Sequence, residues 1–457
     1  MLKSTLRFVL ASAAIMSAQA YAGGACGARN LNLTPGATGG EININWLSDA
    51  GRGATPKARF TNPATGETDH EAGGCATEFG RGEQSNKVTV RGLRPGARYR
   101  YSVSADGSSW GAEHDFTAMP AGAFRFAVIA DAQLTEGAQY ADSAYFSSPP
   151  TTAAGWAETV GKIAEARADF ILSLGDQVDD GPDADTAAEY ALFFAPAPLR
   201  SIPVSPVMGN HDFRSRLYGH NFNLPNEMDA RDPATGVELF ARRANYFHLC
   251  NNVLFVALNT SVKPGEGEAR ELADLFGKTL QAARDAYAGR YDWLVVAHHK
   301  STASVAEHFA SRDIQAYADA GFERLMTEHG VDLVLAGHDH IYAVSKPLRW
   351  CAEHGHSVPA GDGAGTVYMT LTTASGLKYY TPFSPREENA DYPPLVDGRG
   401  GVNANAMNPP LSNARFVQNR KPGYTIADVD GAAMTLTTYS VDGDIVDKFT
   451  LKPAFGK

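Results

Sequence analysis

Five short apolar segments of this chain each run into ligand-type side chains. "FRFAVIAD" ends on Asp131, "FILSLGD" on Asp176, "VSPVMGNHD" on Asn210, His211 and Asp212, "WLVVAHH" on His298 and His299, and "VDLVLAGHDH" on His338 and His340. Apolar runs this short, bounded by turn residues, read as strands; "VLFVALN" is another. Between them Trp156, Val160, Ile163 and Ala164 share one helix face, as do Leu272, Leu275, Phe276, Leu280 and Ala283, and later Phe322, Leu325 and Met326. The pattern predicts a layered α/β domain whose strands run in mixed directions. Polar residues at the carboxyl ends of strands in an open α/β sheet sit where ligands bind.

Upstream the texture differs. Ile42, Ile44 and Trp46, then Val88 and Val90, then Tyr99, Tyr101 and Val103 alternate with polar residues, with turn signals such as "RPGA" and "ADGSS" between them, which predicts a small antiparallel β sandwich. "VTVRGLRPGARYRYSVSADG" and "WGAEHDFTA" resemble the end of a fibronectin type III domain. With 457 residues two domains are the default, and "MPAG" divides them into a sandwich over 23–119 and an α/β domain over 120–457. Residues 381–422, rich in Pro, Asn and Gly, read as a long loop. "TIADV", "AMTLTTYSV" and "IVDKFTLK" return to strand character as a sheet edge.

Residues 1–22 carry Lys3 and Arg7, an apolar run and the small-residue pattern Ala20-Tyr21-Ala22, and read as a secretory signal cleaved before Gly23. Export to the periplasm or the medium is the expectation. No later stretch reaches the ~18 apolar residues of a membrane span, so a soluble mature protein is expected. Cleavage removes two positive charges and takes the formal charge from −11 to −13. With no Lys/Arg cluster, this argues against a nucleic-acid or anionic-lipid surface. The four cysteines lack a C-x-x-C pair and are expected as disulfides Cys26–Cys75 and Cys250–Cys351, the pairing that stays within each domain.

Carboxylate, amide oxygen and imidazole together suit Zn, Mn or Fe rather than Ca or Mg. Two ions would use ligands that one would leave over. Asp176 is the candidate bridge between them, His338 and His340 point at neighbouring ions, and Gly337 lets the backbone turn close by.

In motif order (Gly-Asp, Gly-Asn-His-Asp, His, Gly-His-x-His) residues 124–345 resemble the calcineurin-like metallophosphoesterase superfamily, and the fibronectin-like domain in front resembles its purple acid phosphatase branch. The resemblance implies a four-layer sandwich of mixed sheets flanked by helices. It implies one metal on Asp131, Asp176 and His340, and another on Asp176, Asn210, His298 and His338. His211 would face the substrate phosphate with Asn210 beside it, and Asp212 would hold the His211 ring in one tautomer. The implied activity is phosphomonoester hydrolysis by attack of a metal-bound hydroxide on phosphorus.

Two positions depart from the pattern. Asp179 stands where purple acid phosphatases have the tyrosine of Gly-Asp-x-x-Tyr, so no tyrosinate ligand and no purple colour is expected; Gln133 stands where many members have a histidine, as a neutral oxygen donor or no ligand at all. His299 is expected to be structural or on the substrate side, because adjacent strand residues cannot both face the site. The run Asp179, Asp180, Asp183 and Asp185 reads as a solvated turn, and Lys378 as an exposed lysine. His308, like His70, His114, His248, His329, His354 and His356, has no ligand-like partner in sequence. The alternatives are a phosphodiesterase acting on cyclic nucleotides, nucleotides or phospholipid head groups, and a catalytically inactive surface-binding protein. The sequence leaves the oligomeric state open.

Overall fold

The computed structural model describes residues 27–455, apart from 52, 81, 136–151, 180–185, 214, 233–234, 307, 309–310, 381 and 383–412. The expected signal segment and Cys26 lie outside the described residues, as does most of the expected 381–422 loop.

The first domain is built from β1 (Arg29–Pro35), β2 (Glu41–Asp49), β3 (Lys57–Thr61), β4 (Thr68–Gly73), β5 (Cys75–Gly80), β6 (Glu83–Arg91), β7 (Arg98–Ser104) and β8 (His114–Thr117). They form two antiparallel sheets, β1-β2-β6-β5 and β4-β3-β7-β8. Alternation decides what is inside: Ile42 faces Val90 and Ile44 faces Val88 across β2 and β6, and these close on Trp46, Phe60, Tyr99, Tyr101 and Phe116.

The second domain contains β9 (Phe124–Ile129), α1 (Thr152–Glu165), β10 (Phe170–Ser173), α2 (Ala187–Phe193), β11 (Val204–Pro206), α3 (Arg216–Asn221), β12 (Tyr246–Cys250), β13 (Val253–Leu258), α4 (Glu266–Ala286) and β14 (Trp293–Lys300). It continues through α5 (Arg312–Asp319), α6 (Phe322–His329), β15 (Leu333–Gly337), β16 (Tyr342–Ser345), β17 (Leu348–Cys351), β18 (His356–Pro359), β19 (Val367–Thr370), β20 (Asn413–Val417), β21 (Gly423–Asp430), β22 (Ala433–Ser440) and β23 (Ile445–Leu451).

One sheet has the order β11-β10-β9-β21-β22-β23, the other β12-β13-β14-β15-β19-β16-β20. Their facing sides share a core that includes Phe126, Val128, Phe170, Leu172, Phe255, Val295, Leu335 and Met369. The opposite side of the first sheet packs Ile129 and Ile171 on Trp156, Val160 and Ile163 of α1. The opposite side of the second packs Val296 and Val334 on Leu272, Phe276 and Leu280 of α4. The result is four layers, helix, sheet, sheet, helix. In each sheet a parallel block, β9-β10-β11 and β13-β14-β15-β19, is extended by antiparallel strands. Among the described residues no helix is long and apolar enough to cross a membrane.

The closing strands take up a sheet edge as expected: β21 pairs with β9, and β22 and β23 follow it at the end of the first sheet. Two expectations change. The 381–422 stretch contains β20, which pairs with β16. Cys250 and Cys351 are free thiols: Cys250 is buried in the core between the sheets, with Sγ 3.5 Å from His248 Nδ1, whereas Cys351 ends the first strand of a separate β17–β18 hairpin. A disulfide needs Cα atoms within about 7 Å and converging side chains, which these placements do not supply. Cys75 is an exposed free thiol, and its expected partner Cys26 is outside the described residues.

Candidate metal centre

Asp131 follows β9, Asp176 follows β10, and Asn210 and His211 follow β11, all in one sheet; His299 is the penultimate residue of β14, and His338 and His340 follow β15, in the other. The parallel blocks of both sheets therefore end at one place. Sharp turns deliver the side chains there. Asp131, Gln133, Asp176, His338 and His340 all have positive φ, between 39° and 72°, a region that costs non-glycine residues on the order of 1–3 kcal/mol each and persists only where surrounding structure imposes it. Gly337 allows the approach of the two sheets, since a Cβ there would lie 2.7 Å from Asp131 Oδ2.

The carboxylates of Asp131 and Asp176 are buried. His299 Nε2 lies 3.1 Å from Asp176 Oδ2, 3.2 Å from Asn210 Oδ1 and 4.0 Å from Asp131 Oδ1. His340 Nε2 lies 3.3 Å from Asp131 Oδ1. Both rings are aimed from behind: His299 Nδ1 donates to the Leu174 carbonyl at 2.8 Å, and His340 Nδ1 to the Lys378 carbonyl at 2.8 Å, which leaves each Nε2 for the centre. The backbone N–H of His338 donates to both Asp131 oxygens, at 3.1 and 2.9 Å. Ligand atoms of Asp176, His299 and His338 lie within 4.8 Å of one another.

Burial would raise the Asp176 carboxyl, but the His299 and His211 imidazoles beside it outweigh that and hold it below the usual carboxylate range. Burial would lower His299; Asp176 and Asp131 override it and raise the ring to about 9. Burial, with His308 and His299 beside it, pushes His338 well down. Two buried carboxylates answered by imidazoles, one of them kept neutral, form an electrostatic setting that a cation completes. Among the described residues the buried Oε1 of Gln133 has no hydrogen-bond partner, while its Nε2 is 3.5 Å from Asp176 Oδ2. That oxygen fits an ion in the same pocket. These residues fit a transition-metal centre.

Two expected roles are exchanged with neighbours. His298 does not face the centre: its ring packs edge-on against Phe322, centroids 4.7 Å apart, and burial lowers it to about 3. Strand alternation sends neighbours to opposite faces: Trp293, Val295 and Ala297 face the core between the sheets, whereas Leu294 and Val296 face the helix layer, so His299, in phase with the first set, takes the place expected of His298. Asp212 does not hold His211. It accepts from the backbone N–H of Gly209 at 2.9 Å and of Gln177 at 3.2 Å and from the Tyr190 hydroxyl at 3.1 Å, closing the turn; burial and the nearby Asp176 raise it to about 8. The His211 ring is held instead by Asp179, whose carbonyl oxygen accepts from Nδ1 and whose carboxylate Oδ1 is 3.6 Å away. Asp179 is buried, and among the described residues its carboxylate oxygens make no hydrogen bond; Asp180, Asp183 and Asp185 of the expected solvated turn lie outside the described residues. His211 Nε2 lies 4.0 Å from Asp176 Oδ2 with the side chain 25% exposed, so it reaches both the centre and solvent.

His308 joins the site without any signal in sequence. Its ring centroid is 4.2 Å from that of His338 and 4.9 Å from that of Tyr380, and Nδ1 lies 2.6 Å from Asp339 Oδ1. Lys378 contributes its carbonyl to His340, and its Nζ lies over the Tyr380 ring at 5.9 Å.

Residues 124–342 match the family model of the calcineurin-like phosphoesterases, and residues 28–118 that of the purple acid phosphatase N-terminal domain. Among solved structures, a purple acid phosphatase from yellow lupin (Lupinus luteus) seeds is similar over 93% of this chain and 74% of its own, at 15% identity and a TM-score of 0.65. The anchor of the inner membrane complex of Plasmodium aligns over 74% of this chain and 90% of its own, at 15% identity and a TM-score of 0.42. A dimetal phosphatase of Danio rerio aligns over 73% and 99%, at 14% identity and a TM-score of 0.39. No curated protein matches the sequence.

Proposed function

The chain belongs to the calcineurin-like phosphoesterases, with the N-terminal domain of purple acid phosphatases in front, and from that premise we propose that it is an exported, dinuclear phosphatase that hydrolyses phosphomonoesters. The observation that carries this reading is the meeting of Asp131, Asp176, Asn210, His299, His338 and His340 at the ends of two sheets.

Asp131, Asp176 and His340, with the Gln133 oxygen, would hold one ion, and Asp176, Asn210, His299 and His338 the other, both Fe, Zn or Mn. When bound, such a pair supplies Lewis acidity toward phosphoryl oxygens and lowers the pKa of water so that a nucleophile exists near neutral pH. The chain's own residues do the rest. The carboxylates fix the charge of the centre, and Leu174 and Lys378 fix the tautomers of His299 and His340. His211, aimed by Asp179 and open to solvent, hydrogen-bonds a phosphoryl or leaving-group oxygen. His308, paired with Asp339 and partly exposed, is placed to meet the same phosphate from the His338 side. With Asp179 in the tyrosine position, no tyrosinate colour arises. Export rests on Lys3, Arg7 and the apolar run before Ala22.

The test is elemental analysis of the purified protein with a substrate panel: p-nitrophenyl phosphate, its bis ester and cyclic nucleotides, each with Zn, Mn or Fe supplied. Two metal equivalents and preferential hydrolysis of the monoester are expected. Faster hydrolysis of the bis ester or a cyclic nucleotide would make it a diesterase, and no hydrolysis of any ester would leave a binding protein.

A further inference from the structure

The helix that follows the His211 turn cannot end itself. α3 has six residues, and Phe222 after it is extended (φ −129°, ψ 142°) rather than left-handed. A helix this short is unstable alone, and its last four carbonyls have no acceptor role within the helix. Three of the four are met from the β sandwich. Lys87 Nζ donates to the Gly219 carbonyl at 2.7 Å, Ser85 Oγ to the His220 carbonyl at 2.6 Å, and Asn32 Nδ2 to the Asn221 carbonyl at 2.9 Å. Asn43 Nδ2 then donates to the Asn223 carbonyl at 3.0 Å, and Asn223 Nδ2 returns to the Val88 carbonyl at 3.2 Å.

These donors stand on β1, β2 and β6, at positions alternating with the core residues Leu31, Leu33, Ile42, Ile44 and Val88. They therefore occupy the outer face of their sheet, the face a β sandwich ordinarily gives to water. Here Asn32, Asn43 and Ser85 are buried. Toward the metal centre, α3 continues into hydrogen-bonded turns: Tyr218 N–H donates to the Ser215 carbonyl at 3.2 Å, Ser215 N–H to the Asp212 carbonyl at 3.1 Å, and Phe213 N–H to the Gly209 carbonyl at 2.9 Å. A continuous chain of hydrogen bonds thus joins the outer face of the sandwich to the turn that carries His211.

We propose that the sandwich is a positioning element for the catalytic turn, with Lys87, Ser85, Asn32 and Asn43 capping α3 from the neighbouring domain and thereby fixing His211. The inference rests on the reading of His211 as a substrate-side group. Its physical content is that the accessory domain supplies the helix end that the catalytic domain lacks.

The experiment uses the full, metal-loaded chain and the variants Lys87→Met with Ser85→Ala, Asn32→Ala alone, and Lys87→Arg. Hydrogen exchange is measured over 208–223 and over the sandwich, with metal content, kcat and KM for p-nitrophenyl phosphate. In the first two variants, exchange confined to 208–223 should rise about tenfold. In the same variants kcat should fall about tenfold to a hundredfold, with KM and bound metal little changed; Lys87→Arg, which keeps a donor, should restore both. Unchanged exchange over 208–223, or exchange rising equally across the whole sandwich, would overturn the proposal. If the wild-type protein hydrolyses no phosphate ester, the phosphatase reading fails, and the exchange arm still decides whether the sandwich holds the turn.

Discussion

His299 Nε2 lies 3.1 Å from Asp176 Oδ2, while the ring of the preceding residue, His298, is buried against Phe322 on the other side of the same strand. Two adjacent imidazoles thus have separate physical roles, one electrostatic and one of packing. His299→Ala should abolish tight metal retention and cut turnover by about a thousandfold or more, since a ligand is lost from the centre. His298→Ala should keep its metal and lose about 2–4 kcal/mol of stability by leaving a cavity beside Phe322. Elemental analysis and urea denaturation of both variants would show the contrast; metal loss from His298→Ala with retention in His299→Ala would reverse the assignment.

The two acids near His211 should separate in the same way. Asp179→Asn keeps a side chain of the same size beside the ring but removes its charge, so kcat should fall about tenfold to a hundredfold with stability nearly unchanged. Asp212→Ala strips the acceptor from the Gly209 and Gln177 N–H groups and the Tyr190 hydroxyl, leaving buried donors unpaired at about 1–3 kcal/mol each. Its main effect should be a lowered denaturation midpoint. A stable but inactive Asp212→Ala beside a fully active Asp179→Asn would show that Asp212 still acts on His211.

These pairs also show where the sequence stops being informative. The apolar runs ending on Asp131, Asp176, Asn210 and His338 identify the strands and the place where they converge, because burial on both faces and ligands at the carboxyl end are local properties. Which of His298 and His299 faces the centre depends on strand phase, and the stretch before them, Trp293 to Ala297, is apolar and buried on both faces, so no local polar alternation encodes that phase. His308 enters the site through a contact with Asp339, 31 residues away, and Asp179 reaches His211 across 32. β20 was hidden because its partner β16 lies far away in the chain and the strand has little alternation of its own. The expected Cys250–Cys351 bond failed for a related reason: domain membership says nothing about which side of a sheet a thiol faces.

Chelation should destabilise the fold as well as stop hydrolysis. Asp131 and Asp176 are buried with imidazoles as their counter-charges, so an ion bound only in the folded state adds about 4 kcal/mol when present at roughly a thousand times its Kd. Calorimetry with and without excess chelator should show Tm falling by about 5 °C. An unchanged Tm after the metal has demonstrably been removed would mean that the cluster is held together by its imidazoles alone.

Acid sensitivity should come in part from a histidine remote from the centre. His248 is buried, with Nε2 3.0 Å from Ser205 Oγ, and burial lowers its pKa from 6.5 to about 3. The unfolded chain takes up this proton near pH 6.5 and the folded chain only near pH 3, so between those values the unfolded state binds more protons, and folding stability falls as pH falls. The slope for one such group is about 1.4 kcal/mol per pH unit, present below pH 6.5 and ending near pH 3. His248→Gln keeps a polar partner for Ser205 and cannot titrate. Urea denaturation at pH 7 and pH 4.5 should therefore show the wild type losing about 2–3 kcal/mol more than the variant across that interval. Equal losses in the two proteins would mean that His248 takes up its proton in the folded state at its ordinary pKa, and that the core between the sheets admits the charge.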